Sequence, residues 1–266
     1  MNLQPIPGEA ALSIGGKALV VSDLHIGIEL DFLRKGVHLP SQVDGLLERL
    51  RRLAKTERHR TLYLLGDVKH TVVGARRWER REIPRFFEGL KEWFGEIHVI
   101  RGNHDGHLRE LLPEGIQFHE PSGLRLKEVG MFHGHTWPSA EVMGAKHLLI
   151  GHNHPGLRFE DSRGFGSVHR CWLRMPVLRS DRYPHVPNEA IFLPSFSEYT
   201  GMSPVNRTDA TLLGPLFRAG QLPLAEAQAY LLDGVHLGRL RELPASASVS
   251  RPRSSGRRSW RRTRSP

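Results

Sequence analysis

The chain has 266 residues, of which 39% are hydrophobic, 25% charged and 8% aromatic. This composition is typical of a globular protein and excludes a collagen, a disulfide scaffold and a wholly disordered chain. Apolar runs such as Ala18 to Val21 are far shorter than the roughly 20 residues that a membrane span requires, so we expect no membrane partner. The single cysteine, Cys171, cannot form an internal disulfide, and residues 1–10 carry no basic and apolar leader. We therefore expect a cytoplasmic location.

The net charge of +10 is concentrated at the C-terminal end. Residues 245–266 contain seven arginines and no Asp or Glu, in a context rich in Ser and Pro. Such a segment buries too little apolar surface to offset its ordering entropy. We predict one folded domain over residues 1–243 and a disordered basic tail over 244–266. Both a nucleic-acid contact arm and a dispensable extension fit this tail.

Short apolar runs alternate with segments of helical period, which predicts an α/β layer architecture. The predicted elements are a strand at 17–22, an amphipathic helix at 41–55, a strand at 61–65, a helix at 78–94, and strands at 97–100, 129–132 and 147–150. Further strand-like runs lie at 157–159, 167–173 and 190–193. A short terminal helix is expected within 221–240.

Carboxylate, imidazole and amide side chains follow five of these strands. They are Asp23 and His25, Asp67, Asn103 with His104 and Asp105, His133 and His135, and His152 and His154. Residues two apart in an extended segment point to the same side, so we expect Asp23 with His25, and His152 with His154, to converge. Adjacent residues diverge, so Asn103 and His104 should have different roles.

These nitrogen and oxygen donors predict a catalytic metal site. Without a thiolate, the set suits Mn²⁺, Fe or Zn²⁺ and not a structural zinc site. The donors are too many for one ion, whereas two divalent ions about 3.5–4 Å apart would use them all. Two divalent metal ions, manganese first, are therefore the expected cofactors.

The order of these motifs resembles that of the calcineurin-like metallophosphoesterases. Their signature is DxH, GDxx, GNH[DE], a His before Gly, and GHxH, and each part is present between Asp23 and His154. The runs SDLHIGIE, LGDVKH, RGNHDG and GHNHP are most similar to those of small prokaryotic phosphoesterases related to the SbcD-type repair nuclease subunit. The resemblance implies a four-layer α/β/β/α sandwich.

The resemblance also implies a role for each site residue. The first metal would be held by Asp23, His25, Asp67 and His154, and the second by Asp67, Asn103, His133 and His152. His104 would lie at the scissile phosphate, with Asp105 orienting it through a hydrogen bond. The choice between His133 and His135 stays open from the sequence, and the family pattern favours His133.

The resemblance favours a dinuclear-metal phosphoesterase, first of all a phosphodiesterase. It would act on nucleic acid, DNA or RNA, or on nucleotides, through a hydroxide that bridges the metals. The alternative is a non-catalytic protein-interaction scaffold on the same fold, which the presence of His104 with every expected ligand disfavours. Lys69 and His70, just after Asp67, fit either a substrate contact or a supporting role.

Overall fold

The structure of the chain is a computed structural model that describes residues 1–243 except 162, 164 and 208. The helices are α1 (Glu29–Arg34), α2 (Val43–Glu57), α3 (Arg77–Lys91), α4 (Ala140–Met143) and α5 (Pro215–Arg218). The strands are β1 (Leu3–Pro5), β2 (Leu12–Ile14), β3 (Ala18–Val21), β4 (Thr61–Leu64), β5 (Glu96–Ile100), β6 (Ile116–His119), β7 (Leu124–Leu126), β8 (Val129–Phe132), β9 (His147–Ile150), β10 (Pro155–Glu160), β11 (Gly166–Pro176), β12 (Glu189–Phe192), β13 (Ser203–Pro204), β14 (Gln228–Leu231) and β15 (His236–Arg239). Short 3₁₀ helices lie at Leu108–Leu111, Leu224–Glu226 and Leu240–Glu242. The predicted tail, 244–266, lies outside the described residues.

The first sheet has the strand order β1-β2-β3-β4-β5-β6. Strands β3 to β6 are parallel, while β1 and β2 add an antiparallel edge. Parallel strands need crossover connections, and α2 and α3 supply those after β3 and β4. The carboxyl ends of β3, β4 and β5 therefore lie side by side at one edge of the sheet.

The second sheet has the order β13-β10-β11-β12-β9-β8-β7, with β14 paired to β11 and β15 paired to β14. Its centre, β12-β9-β8, is parallel, and these strands also end at a common edge. The prediction of a terminal helix within 221–240 is wrong, because most of this segment forms the antiparallel hairpin β14–β15. The backbone of β14 forms its hydrogen bonds with an edge of β11, a distant pairing that local propensity could not reveal.

Three apolar clusters define the layers of the molecule. Side chains alternate along β3: Leu19 and Val21 face the amphipathic helices α2 and α3, and Val20 faces the second sheet. Leu148 and Ile150 of β9 belong to a third cluster on the far face of the second sheet. Within the described residues that far face is covered by the four-residue helices α4 and α5 and by loops, so the fourth layer is thin. The expected α/β/β/α sandwich is confirmed.

The helices at 41–55 and 78–94 and the five strands that precede the polar motifs are confirmed, with small shifts of their ends. The later strand-like runs correspond to β10, β11 and β12. Among the described residues, no helix has the length and apolar character needed to cross a membrane.

Candidate metal centre

The polar residues predicted at the five strand ends meet at one place. Asp23 and His25 follow β3, Asp67 follows β4, Asn103 to Asp105 follow β5, His133 follows β8, and His152 and His154 follow β9. The two sheets thus bring their carboxyl-end loops together across the sandwich. Asp23, His25, Asp67 and His133 are at most 3% exposed, so the centre is largely withdrawn from water.

The backbone at this centre is left-handed and not extended. The φ angles are +60° at Asp23, +48° at His25, +51° at Asp67, +70° at His152 and +42° at His154. The expectation that Asp23 with His25, and His152 with His154, converge through extended alternation is therefore wrong in its reason, although these side chains do meet. Each non-glycine residue held in this region costs of order 1–3 kcal/mol, a strain that clusters at functional sites. Backbone hydrogen bonds from His25 N to Asp67 O (2.9 Å) and from Asp23 N to Gly66 O (3.1 Å) hold these turns.

Two glycines allow the loops to approach this closely. A Cβ atom at Gly66 would lie 2.5 Å from His133 Nδ1, and one at Gly102 would lie 2.2 Å from Asp67 Oδ1. Real Cβ atoms essentially never come within 3.0 Å of such atoms. The Gly in GD and the Gly in GNHD are therefore required by packing around Asp67, in addition to any turn preference.

The first group of donor atoms comprises Asp23, His25 and His154. Asp23 Oδ1 lies 3.1 Å from His154 Nε2, and the Nε2 atoms of His25 and His154 are 3.4 Å apart. Burial lowers the pKa of His25 to about 3, so its imidazole is neutral and can offer a lone pair. Lone pairs that converge in this way fit a cation.

The second group comprises Asp67, His133 and His152. His133 Nε2 lies 3.3 Å from Asp67 Oδ2 and 3.1 Å from Asn103 Oδ1. The same Oδ2 atom of Asp67 is 3.7 Å from His25 Nε2 in the first group. Asp67 therefore stands between the two groups, as expected for a bridging carboxylate.

Each carboxylate has one oxygen held by the protein and one directed to the centre. Asp23 Oδ2 accepts hydrogen bonds from Ser22 Oγ (2.6 Å) and from the backbone N–H of His152 (3.1 Å), and its Oδ1 faces His154. Asp67 Oδ1 accepts from the backbone N–H of His104 (2.8 Å), and its Oδ2 faces His25 and His133. In each of these two aspartates, one oxygen is thus oriented for coordination of a metal ion.

The electrostatics match a site built for positive charge. Burial opposes protonation of His133, yet Asp67 and Asp23 raise the pKa of His133 to about 10. Two buried carboxylates thus attract a cation so strongly that, without metal, an imidazole carries a proton between them. A metal ion would replace that proton. The donor set, two carboxylates with imidazoles and an amide oxygen, fits divalent ions in both groups.

His104 lies beside the centre without joining either group. Its Nε2 is 3.9 Å from Asp67 Oδ2, while Nδ1 donates to the backbone oxygen of His70. Asn103, its neighbour, directs Oδ1 to His133. The different directions expected for these two side chains are thus observed.

The expectation that Asp105 orients the His104 ring by accepting a hydrogen bond from it is wrong. Asp105 Oδ1 accepts from the backbone N–H groups of Val68 (2.9 Å) and Lys69 (3.3 Å), and Oδ2 accepts from that of Gly102 (2.8 Å). Asp105 therefore ties the loop after β4 to the loop after β5. Within the part of the chain that the structure describes, these backbone N–H groups have no other acceptor, and the sequence alone does not reveal this need.

Of the two histidines in the HGH run, His133 enters the second group of donor atoms. The His135 ring centroid lies 5.4 Å from that of His133 and 6.1 Å from that of His152. The preference for His133 over His135 agrees with this placement.

Sequence reasoning missed the segment that follows β12. Phe196 N and Ser197 N donate to the backbone oxygens of Ser22 (2.8 Å) and Asp23 (3.2 Å), and Gly201 O accepts from His154 Nδ1 (3.1 Å). Through these hydrogen bonds the segment holds the loop of Asp23 and the ring of His154 in the first group of donors. The polar run directly after the predicted strand at 190–193 was the signal that could have found it.

Comparison with known proteins places the chain in a family. The family model for calcineurin-like phosphoesterases matches residues 16–200. No curated protein sequence matches the chain. Among solved structures, the nuclease MPE of Pseudomonas putida is similar at 22% identity and a TM-score of 0.53, over 89% of this chain and 100% of that one.

Two further solved structures show weaker likeness. They are AQ665, a protein of unknown function from Aquifex aeolicus (20% identity, TM-score 0.36, 52% of this chain and 78% of that one), and YfcE, a phosphoesterase from E. coli (17%, 0.38, 69% and 83%). The matched family model spans more than half of the chain and contains every motif of the centre. The chain belongs to the calcineurin-like phosphoesterases, and it is a metal-dependent phosphoester hydrolase.

Proposed function

We propose that the chain is a dinuclear-metal phosphodiesterase that acts on nucleic acid or nucleotides. The observation that carries the proposal is the position of Asp67 Oδ2, 3.7 Å from His25 Nε2 in one donor group and 3.3 Å from His133 Nε2 in the other. One shared carboxylate between two groups is the arrangement that a two-metal hydrolytic site needs.

In this proposal, Asp23, His25, Asp67 and His154 hold the first ion, and Asp67, Asn103, His133 and His152 hold the second. The ions would supply an activated water and electrostatic stabilisation of the phosphoryl oxygens. Manganese is the preferred ion, because oxygen and imidazole donors without thiolate suit it, with iron or zinc as alternatives.

His104 is proposed as the residue that protonates the leaving oxygen. Its side chain is 22% exposed, so it can reach a substrate, and its Nδ1 is engaged with the backbone oxygen of His70. That contact leaves Nε2 facing the centre. In its doubly protonated form His104 also carries a proton on Nε2, which would pass to an alkoxide leaving group at the moment of bond cleavage and leave neutral His104.

The preference for a diester is supported by the similarity to a protein named as a nuclease, which extends over 89% of this chain. The predicted basic tail would add nonspecific attraction to a polyanion. The assignment of residues 1–243 to the catalytic domain stays a prediction, as does a cytoplasmic location.

The test is metal-dependent hydrolysis of bis(p-nitrophenyl) phosphate compared with that of p-nitrophenyl phosphate. We expect faster turnover of the diester, dependent on added Mn²⁺. A panel of DNA, RNA, cyclic nucleotides and dinucleotides, with the full chain and a chain ending at Leu243, then identifies the substrate. Undiminished turnover after exhaustive chelation, with no metal in the protein, would refute the two-metal site, and metal binding without any hydrolysis would favour the scaffold alternative.

A further inference from the structure

Three imidazoles of the centre use their second ring nitrogen in different ways. His133 Nδ1 donates to the backbone oxygen of Leu65 (2.7 Å), and His154 Nδ1 donates to that of Gly201 (3.1 Å). His25 Nδ1 instead faces a side chain, because it lies 3.3 Å from Nδ1 of His70. A metal-ligating histidine normally donates its other N–H to an acceptor that fixes its tautomer and orientation. For His25 that acceptor is a side chain that can be replaced.

His70 is itself held by two further side chains. Its Nε2 lies 3.0 Å from Asp31 Oδ2, and Asp31 Oδ1 accepts a hydrogen bond from Arg76 Nη1 (3.0 Å). Asp31 belongs to α1, His70 follows β4, and Arg76 directly precedes α3. Burial opposes ionisation of Asp31, but the hydrogen bonds from Arg76 and His70 lower its pKa below the ordinary value. The carboxylate is therefore available as an acceptor.

With a metal ion bound by the first group of donor atoms, the positions of the ring atoms leave one arrangement of protons for His25 and His70. His25 Nε2 faces His154 Nε2 (3.4 Å) and Asp67 Oδ2 (3.7 Å), so in a metal-loaded centre this atom carries a lone pair. The proton of neutral His25 then lies on Nδ1 and points to His70 Nδ1, which must accept it. His70 in turn carries its proton on Nε2 and donates it to Asp31.

We propose that His70, Asp31 and Arg76 form a relay that holds His25 in its metal-binding tautomer and thereby sets the affinity of the first metal site. The inference rests on the proposed two-metal function. His70 is a positioning residue here, since it acts through His25 and reaches the ion only indirectly. Asp31 and Arg76 fix the orientation of His70.

A competing role for His70 is direct coordination. Donor atoms of His25, His70 and His104 lie within 4.8 Å of one another and could hold an ion. This group has three imidazoles and no carboxylate, whereas each of the other two groups includes an aspartate, so it attracts a divalent ion less strongly. The two roles predict different numbers of bound ions.

The experiment is a calorimetric titration of Mn²⁺ into the metal-free full-length protein, with bound metal counted by elemental analysis. For His70→Ala we expect two bound ions, one of them with a roughly 10–100-fold weaker affinity, the range typical of outer contacts to ligating histidines. His70→Asn keeps an acceptor near the position of Nδ1, so its affinity should lie between those of the wild type and His70→Ala. Asp31→Asn should produce a smaller loss.

The double variant His70→Ala with Asp31→Asn should bind no more weakly than His70→Ala alone, because Asp31 acts through His70. The matched control is Asp44→Asn, which removes an exposed carboxylate charge whose partner is Arg85 (2.6 Å) on the outer helices, and it should leave both affinities unchanged. Thermal unfolding of each metal-free variant separates a change in affinity from loss of the fold. Asp31 is 39% exposed, so its substitution is expected to be tolerated.

Three results would overturn the relay. They are wild-type affinity for both ions in His70→Ala, additive losses in the double variant, and three ions in the wild type against two in His70→Ala, which would make His70 a ligand. A wild-type chain that binds fewer than two ions would overturn the proposed function, and the relay with it.

Discussion

Replacement of His104 by alanine should separate metal binding from catalysis. Asp67 accepts its hydrogen bond from the backbone N–H of His104 (2.8 Å), which the substitution keeps, so both ions should remain bound. The side-chain loss is one hydrogen bond from a part-exposed ring, worth about 0.5–1.5 kcal/mol of stability. The chemical loss should be larger, because removal of a positioned proton donor costs roughly 10²–10⁴-fold in rate, or about 3–5 kcal/mol of activation free energy.

The assay compares kcat/KM for bis(p-nitrophenyl) phosphate with that for a dinucleotide, at saturating Mn²⁺, with metal content measured in parallel. The loss should be small for the p-nitrophenyl ester, whose leaving group needs no proton, and large for the dinucleotide, whose alkoxide does. His107→Ala is the matched control, since His107 lies three residues further along, is 59% exposed and pairs with Glu110 outside the centre. Equal slowing of both substrates, or loss of one equivalent of metal, would refute the assignment of His104 as proton donor.

Four further changes test other parts of the structure. Asp67→Asn should lower occupancy of both metal sites, because Oδ2 of Asp67 faces both donor groups, and two ions bound at wild-type affinity would show that Asp67 is not the bridge. Asp105→Asn places an amide N–H group against backbone N–H donors, so it should weaken metal binding, measured by titration, and slow both substrate types alike. Selective slowing of the dinucleotide would instead show that Asp105 acts through His104. Phe86→Ala, at a fully buried position of α3, should lower the free energy of unfolding by about 3–5 kcal/mol in urea titrations, and a loss below 1 kcal/mol would contradict the packing described. Truncation after Leu243 should weaken nucleic-acid binding and reduce its salt dependence without altering model-diester hydrolysis, and an unchanged salt slope would rule out the tail as a contact arm.

Much of the centre could be predicted from the sequence because short runs of neighbouring residues indicate both the strands and the polar residues that follow them. Apolar runs that end in Asp, Asn or His predicted both the strands and the residues placed at their ends, and five such ends could be grouped without knowledge of the sheet order. Asp23, Asp67 and Asn103 each follow a predicted strand, and their carboxylate and amide oxygens, with the imidazoles, predicted one metal site. The choice of His133 over His135 already needed the family pattern.

Contacts between distant segments were decided only by the tertiary structure. The left-handed turns at Asp23 and His154 could not be predicted, because neither position is a glycine. The surrounding hydrogen bonds impose this conformation against the local preference. The role of Asp105 depends on which backbone N–H groups lack an acceptor once the loops after β4 and β5 meet. The strand β14 forms because its backbone can pair with an edge of β11. His70 is held against His25 by Asp31 of α1, which lies 39 residues earlier in the chain. Local patterns determine which residues lie at strand ends, whereas the hydrogen-bond partners of those residues are set by the packing of segments that are far apart in sequence.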